Sequence, residues 1–269
     1  MKEIHFHQPQ SALAPFRSSL EFYLEDHPPK NAKEAAALIE EITGIKRSTG
    51  QIRTYMKSIG MKCRKVGMIP AKADSEKQKE FREQRLEPTF EEAKKKERVV
   101  YFVDAAHFVL APFLGFLWSF ARVFIKAPAG RKRFNVLGAL NAITHELVTV
   151  CNEEYINSES VCLLLRRLGQ LHPNLPITLI MDNARYQKCR LVMELAKKLN
   201  FELMFLPPYS PNLNLIERLW KFVKKECLYS EYYETFDDFK GAISECLAKT
   251  HTTHKNALDS LLTLNFQTF

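Results

Sequence analysis

The sequence predicts an α/β domain preceded by a small all-helical module. Three observations carry this expectation. Beyond Arg98, short apolar runs of strand length alternate with helical patterns. Two of those runs, YFVD ending at Asp104 and LIMD ending at Asp182, are wholly apolar until they stop in an aspartate. Before Val66, the pattern is instead helix, glycine turn, helix.

Size and composition suit such a division. With 269 residues and 46% apolar content, the chain can bury one sizeable core and a smaller one. Lys and Arg total 39 against 31 Asp and Glu, a formal net charge of +8, and the pI is near 9.1. That balance suits a polyanionic partner, although the same excess also serves solubility. Cys63, Cys151, Cys162, Cys189, Cys227 and Cys246 are scattered, with no C-x-x-C pair. They predict a reducing, cytoplasmic compartment in place of a zinc site or a disulfide framework. His251 and His254 have no partnering cysteine and read as a solvated helix end. The first residues carry no charged-then-apolar leader pattern. The uncharged run from Ala105 to Ala121 contains Pro112 and Gly115. It is shorter than the roughly 20 residues of a membrane helix, so it is expected as buried strand and loop, with no membrane partner.

In chain order, a short helix is expected over Phe16 to Asp26, ended by His27-Pro28-Pro29. Asn31 to Ile42 follows as a helix with Ala36, Leu38, Ile39 and Ile42 apolar, and Thr43-Gly44-Ile45 breaks it. Ser48-Thr49-Gly50-Gln51 has the capping-box form, after which Ile52, Tyr55, Met56 and Ile59 supply an inward face before Gly60 stops the helix. This is the signature of a helix-turn-helix in residues 1–66, whose second helix would lie in a DNA major groove. Its outward residues Thr49, Arg53, Thr54 and Lys57, the preceding Arg47 and Ser48, and the following Arg64 and Lys65 are the candidate DNA contacts. A helical hairpin with no DNA role has the same pattern.

From 67 to 98 the composition turns to charge of both signs, interrupted by Pro70 and Pro88, which predicts a linker of solvated helices. The α/β domain is expected over 99–269. Val99 to Val103 should be a strand, and Arg122 to Ile125, Phe134 to Asn141 and Leu147 to Cys151 should extend it as an antiparallel meander. Next come a helix over Ser158 to Leu171, a buried strand over Ile177 to Met181 and a helix from about Arg185 to Leu199. A strand from Glu202 to Leu206 then enters the stiff turn Pro207-Pro208, and a helix opens near Asn212 or Asn214. Leu213, Ile216, Leu219, Trp220 and Val223 form its apolar stripe, with Glu217 at the edge. Asp237 to Leu262 reads as helical.

Ligands in open α/β sheets sit beyond the carboxyl ends of strands, so aspartates ending neighbouring strands would meet at one edge. Asp104 and Asp182 are placed to do so, and Glu217 can complete a triad. Three crowded carboxylates repel unless a cation neutralises them, and hard oxygen ligands select Mg²⁺ or Mn²⁺. Taken singly, Asp104 can be a turn residue, Asp182 a helix cap and Glu217 a partner for Lys221. Asn183 either supports the site by hydrogen bonding or favours the turn.

The wording and order of YFVDAAHF, GRKRFNVLGAL, ITLIMDNARYQ and LPPYSPNLNLIERLW resemble the DDE transposase domain of the mariner-like superfamily, in its bacterial insertion-sequence branch. The interval from Asp182 to Glu217 is similar to the family spacing. The resemblance implies a ribonuclease-H-like fold with a mixed five-stranded sheet and flanking helices. It makes Asp104, Asp182 and Glu217 the metal-binding catalytic carboxylates, with two Mg²⁺ ions for which Mn²⁺ can substitute. It further implies cleavage of double-stranded DNA at terminal inverted repeats, attack of the freed 3′-hydroxyl on a thymine-adenine step in target DNA, and a homodimer on DNA. Gln187 stands where the family often has histidine, and Leu215 where it often has proline. Relatives usually carry two helix-turn-helix modules, whereas residues 1–66 hold one clear copy. A downstream reading frame joined to an upstream one, or a truncated copy acting as a DNA-binding repressor, is therefore an alternative expectation, as is a host nuclease of the same fold.

Overall fold

The computed structural model describes residues 11–64, 71–110, 120, 124, 132–229 and 231–266. The expected strand at Arg122 to Ile125 and loop from 111 to 119 lie outside them, apart from Phe124, and so does Lys65. The chain divides into two compact units, 1–68 and 69–269.

Among the described residues, the first unit holds three helices: α1 (Arg17–Asp26), entered through a 3-10 turn at Ala14–Phe16, α2 (Ala32–Thr43) and α3 (Thr49–Ser58). Leu13, Leu20, Ala35, Ile39 and Ile52 form its core. Asn31 caps α2, and Gly44, at φ 70°, ends it in the left-handed conformation that glycine adopts without strain. Ser48 and Gln51 close the expected capping box at the start of α3.

The second unit is built on one five-stranded sheet in the order β3-β2-β1-β4-β5. Strands β1 (Val99–Val109), β2 (Arg133–Asn141) and β3 (Leu147–Asn152) form the antiparallel meander, while β4 (Ile177–Met181) and β5 (Phe201–Phe205) run parallel to β1. Side chains alternate across β1, which is buried on both faces. Val100, Phe102, Ala106 and Phe108 face the core that includes α8 (Ile216–Leu228) and α9 (Phe236–Ala248). Val99, Tyr101 and Val103 face α6 (Ser158–Leu171) and α7 (Arg190–Lys198). The C-terminal helix α10 (Lys255–Leu261) adds Leu258 to the first core.

Three sequence expectations are corrected. The charged stretch before Val99 is not a chain of solvated helices. Its helices α4 (Ser75–Phe81) and α5 (Glu87–Lys94), joined by a π-helical turn at Arg82–Leu86, bury Gln78, Leu86, Phe90 and Ala93. Leu86 and Phe90 belong to the core that β1 lines, and Arg98 pins the junction by pairing with Glu92 at 2.6 Å and Glu202 at 2.5 Å. The apolar residues there are sparse enough for charge to mask them in composition. Secondly, β1 does not end at Asp104; it continues to Val109 because β2 pairs with it through Val109↔Arg133, long after β4 has stopped at Val103↔Met181. Thirdly, the helices near the triad open late. Asp182 Oδ1 accepts from the Ala184 amide at 3.0 Å and holds a turn, so α7 begins only at Arg190. A 3-10 turn at Pro211–Leu213 precedes α8. Among the described residues, no helix is long and apolar enough to cross a membrane.

Candidate active site

The parallel pairing Val103↔Met181 places the next residues, Asp104 and Asp182, side by side where β4 ends. Strand β5 stays in register, and the Leu206 amide donates to the Met181 carbonyl at 2.9 Å, so the chain leaves toward Pro207 at the same edge. The Pro207–Pro211 turn then delivers α8, whose first turn carries Glu217. Asp104, Asp182, Asn183, Asn214 and Glu217 line one cavity of about 410 Å³, with residues 206–211 forming a wall. All three predicted carboxylates thus open into the same space.

Trp220 orients the first of them. Its Nε1–H donates to Asp104 Oδ2 at 3.1 Å, while its ring is 2% exposed and meets Phe108 edge-on. Gly138 makes this approach possible: it lies opposite Asp104 on β2, and a Cβ there would fall 2.7 Å from Trp220 Cη2. Sequence reasoning assigned Trp220 to an apolar stripe and overlooked Gly138; the available signal was an indole N–H one helical turn after Glu217.

Asp104 carries the strongest electrostatic mark. Burial raises its pKa to about 7, the Glu217 carboxylate adds to the rise and Asp182 adds less; the Ala105 amide and the Trp220 N–H oppose it. Tyr186 is pushed up to about 12, chiefly by burial and then by the charges of Asp182 and Asp104. Asn183 Nδ2 donates to the Leu206 carbonyl at 2.6 Å and its Oδ1 accepts from Lys188 Nζ, which ties the end of β4 to the end of β5. Asn214 is 4% exposed, and no described residue donates to its Oδ1. Among the described residues, no three His, Cys, Asp or Glu side chains are gathered tightly enough to hold a metal ion. Of the two positions that depart from the resembled family, Gln187 is fully buried and does not line the cavity, and Leu215 is buried in the core beneath α8.

Residues 99–240, just over half of the chain, match the family described as DDE superfamily endonuclease. The chain belongs to this family. It is 26% identical over 189 residues to the Insertion element IS630 uncharacterized 39 kDa protein of Shigella sonnei, a match covering 69% of this chain and 54% of that one. The chain therefore spans about half the length of this relative. Among solved structures it is similar to the Mos1 mariner paired end complex with Mn (TM-score 0.60, 15% identity, 97% of this chain and 79% of that one). The mariner Mos1 paired end complex with Mg gives a TM-score of 0.57 at 16% identity over 97% and 79% of the two chains. That likeness, with the observed sheet order, makes the second unit of this DDE endonuclease family member ribonuclease-H-like.

In the first unit, Thr49, Arg53, Thr54 and Lys57 are exposed on α3, as are Ser48 and Arg64, and Arg47 is half-buried. Two hydroxyls are already engaged, since Ser48 Oγ accepts from the Gln51 amide at 3.3 Å and Thr54 Oγ1 donates to the Gly50 carbonyl at 3.2 Å. Arg53 and Lys57 line a groove of about 650 Å³ together with Lys30, Lys62, Met56 and Met61.

Proposed function

We propose that this chain is a transposase of the insertion-sequence and mariner type. In this reading it cuts double-stranded DNA at the terminal inverted repeats of its element and transfers the freed 3′-hydroxyl to target DNA, at a thymine-adenine step. The observation that carries the reading is the meeting of Asp104, Asp182 and Glu217 in one cavity, with Asp104 driven to about 7 by burial and its two neighbours. Such crowding is unfavourable in isolation and is relieved by a divalent cation.

The donor set fits that ion. Three carboxylates offer only hard oxygens, as Mg²⁺ and Mn²⁺ prefer. Mg²⁺ is usually held by one or two carboxylates while waters and substrate phosphates complete its shell. The unpartnered Asn214 Oδ1 supplies an acceptor for one such water. Asp104, Asp182 and Glu217 would hold the ions, which would supply activation of the attacking oxygen and charge neutralisation at the leaving oxygen of a phosphodiester.

The protein's own part is positioning. Trp220 fixes the rotamer of Asp104, Asn183 holds the Leu206 carbonyl so that the proline turn keeps its place, and the first turn of α8 presents Glu217. Residues 1–66 serve as the DNA-binding module, with Arg47, Ser48, Thr49, Arg53, Thr54, Lys57, Arg64 and Lys65 as contacts; the basic groove beside Arg53 and Lys57 supports this. Residues 67–98 lead into the catalytic domain 99–269, and the working form is a cytoplasmic homodimer on DNA.

Cleavage of end-labelled DNA taken from the regions flanking this gene tests the proposal. Metal-dependent cuts at defined positions, absent in EDTA and in Asp182→Asn, are expected. The mutant should keep near-normal DNA affinity because Lys and Arg contacts with phosphate dominate binding. Equal loss of cleavage and binding in Asp182→Asn would overturn the assignment.

A further inference from the structure

Tyr209 sits at the wall of the carboxylate cavity. Its φ is 59°, in the left-handed region that residues with a full side chain seldom adopt. The ring gains little packing in return, since the residue is 52% exposed. It nevertheless lines the same cavity as Asp104, Asp182 and Glu217. Pro207, Pro208 and Pro211 stiffen the turn on both sides, so the ring is presented with little freedom left to lose on contact. The Lys72 ammonium lies over the ring, 5.8 Å from its centroid, so a cation stands within cation–π reach of the aromatic ring.

Strained backbone, an exposed ring and an adjacent cation at the mouth of a carboxylate cavity match what a single-stranded nucleotide requires. The base stacks on the aromatic face and the neighbouring phosphate meets the ammonium. The cavity is an open cleft of about 410 Å³, and a phosphodiester beside an unpaired base can turn into it more readily than one held in a regular duplex. We propose that Tyr209 and Lys72 form a binding site for an unpaired nucleobase next to the phosphodiester brought to the carboxylates. This deepens the transposase reading and rests on it for the identity of the polymer.

The test compares full-length protein binding, in EDTA, to a fully paired duplex and to the same duplex with a central unpaired bubble containing 2-aminopurine. Stacking on an aromatic side chain predicts about a tenfold preference for the bubble, together with quenching of the 2-aminopurine fluorescence. Tyr209→Asn removes the ring while tolerating the left-handed backbone, and should lose both the preference and most of the quenching. Tyr209→Phe, which keeps the ring, should retain at least half of the quenching. Lys72→Ala should weaken binding to the bubble more than to the duplex. An unchanged preference and unchanged quenching in a folded Tyr209→Asn protein would overturn the proposal. Failure of the nuclease reading is separable, because it shows as absence of Mg²⁺-dependent cleavage whether or not the bubble preference is present.

Discussion

The indole N–H of Trp220 donates to Asp104 Oδ2 at 3.1 Å from the same helix that presents Glu217. One helix therefore both supplies a carboxylate and aims another, so small rotations of α8 move two members of the triad together. Trp220→Phe keeps most of the apolar packing and removes the donor. A lost hydrogen bond to a charged group is worth about 1.5–3 kcal/mol, so single-turnover cleavage should fall about tenfold or more. The fall should be partly recovered at high Mn²⁺ if orientation of Asp104 limits metal binding. Unchanged cleavage at limiting metal would remove Trp220 from the positioning role.

Asp104→Asn should abolish cleavage and yet stabilise the metal-free protein. The folded pKa of about 7 stands above the ordinary carboxyl value of 3.8, so the folded state binds the proton more tightly than the unfolded chain. Stability from this group is therefore lost as pH rises from about 4 through 7, and the whole penalty is present above 7. In EDTA the mutant should exceed the parent by on the order of 2–3 kcal/mol more at pH 8 than at pH 5. Denaturant titrations at the two pH values check this. A difference between mutant and parent that does not vary with pH would contradict the raised value.

Gly138→Ala should be destabilising without touching any carboxylate. The added methyl meets Trp220 Cη2 at 2.7 Å, Trp220 Cζ2 at 2.9 Å and Ile216 Cδ1 at 3.0 Å. Overpacking of this kind costs about 1–3 kcal/mol. The expected result is a lower thermal midpoint together with slower cleavage, as the indole is displaced from Asp104. Combining it with Trp220→Phe should give less than the sum of the single effects, because the clash and the hydrogen bond share one side chain.

Arg53→Ala and Lys57→Ala should weaken binding to element-end DNA. Each lost phosphate contact is expected to reduce the slope of log affinity against log salt by about one. Cleavage measured at saturating protein should be unaffected. A salt slope identical to that of the parent in both variants would argue that the groove they line lies off the DNA.

Much of the site was legible in the residues, for reasons that can be traced. Wholly apolar runs of strand length ending at Asp104 and Asp182 announce buried strands whose ends carry polar groups, and the Pro207-Pro208 turn announces where the next helix must start. The burial of α4 and α5 was not legible, because charge dominates composition even when Leu86 and Phe90 decide the packing. Likewise the extension of β1 past Asp104 depends on its partner β2, and a pattern read along one chain segment does not reveal which neighbour continues.

The sequence by itself determined the alternation of strands and helices, the helical first unit and the three carboxylates, because these rest on local periodicity, turn residues and charge. Only the tertiary structure decided that Trp220 donates to Asp104 across Gly138, that Asn183 ties the end of β4 to Leu206, and that Tyr209 stands exposed beside the triad. Those relations join residues far apart in the chain. They arise from sheet register and from the seat of one helix on the sheet, and no local preference encodes either.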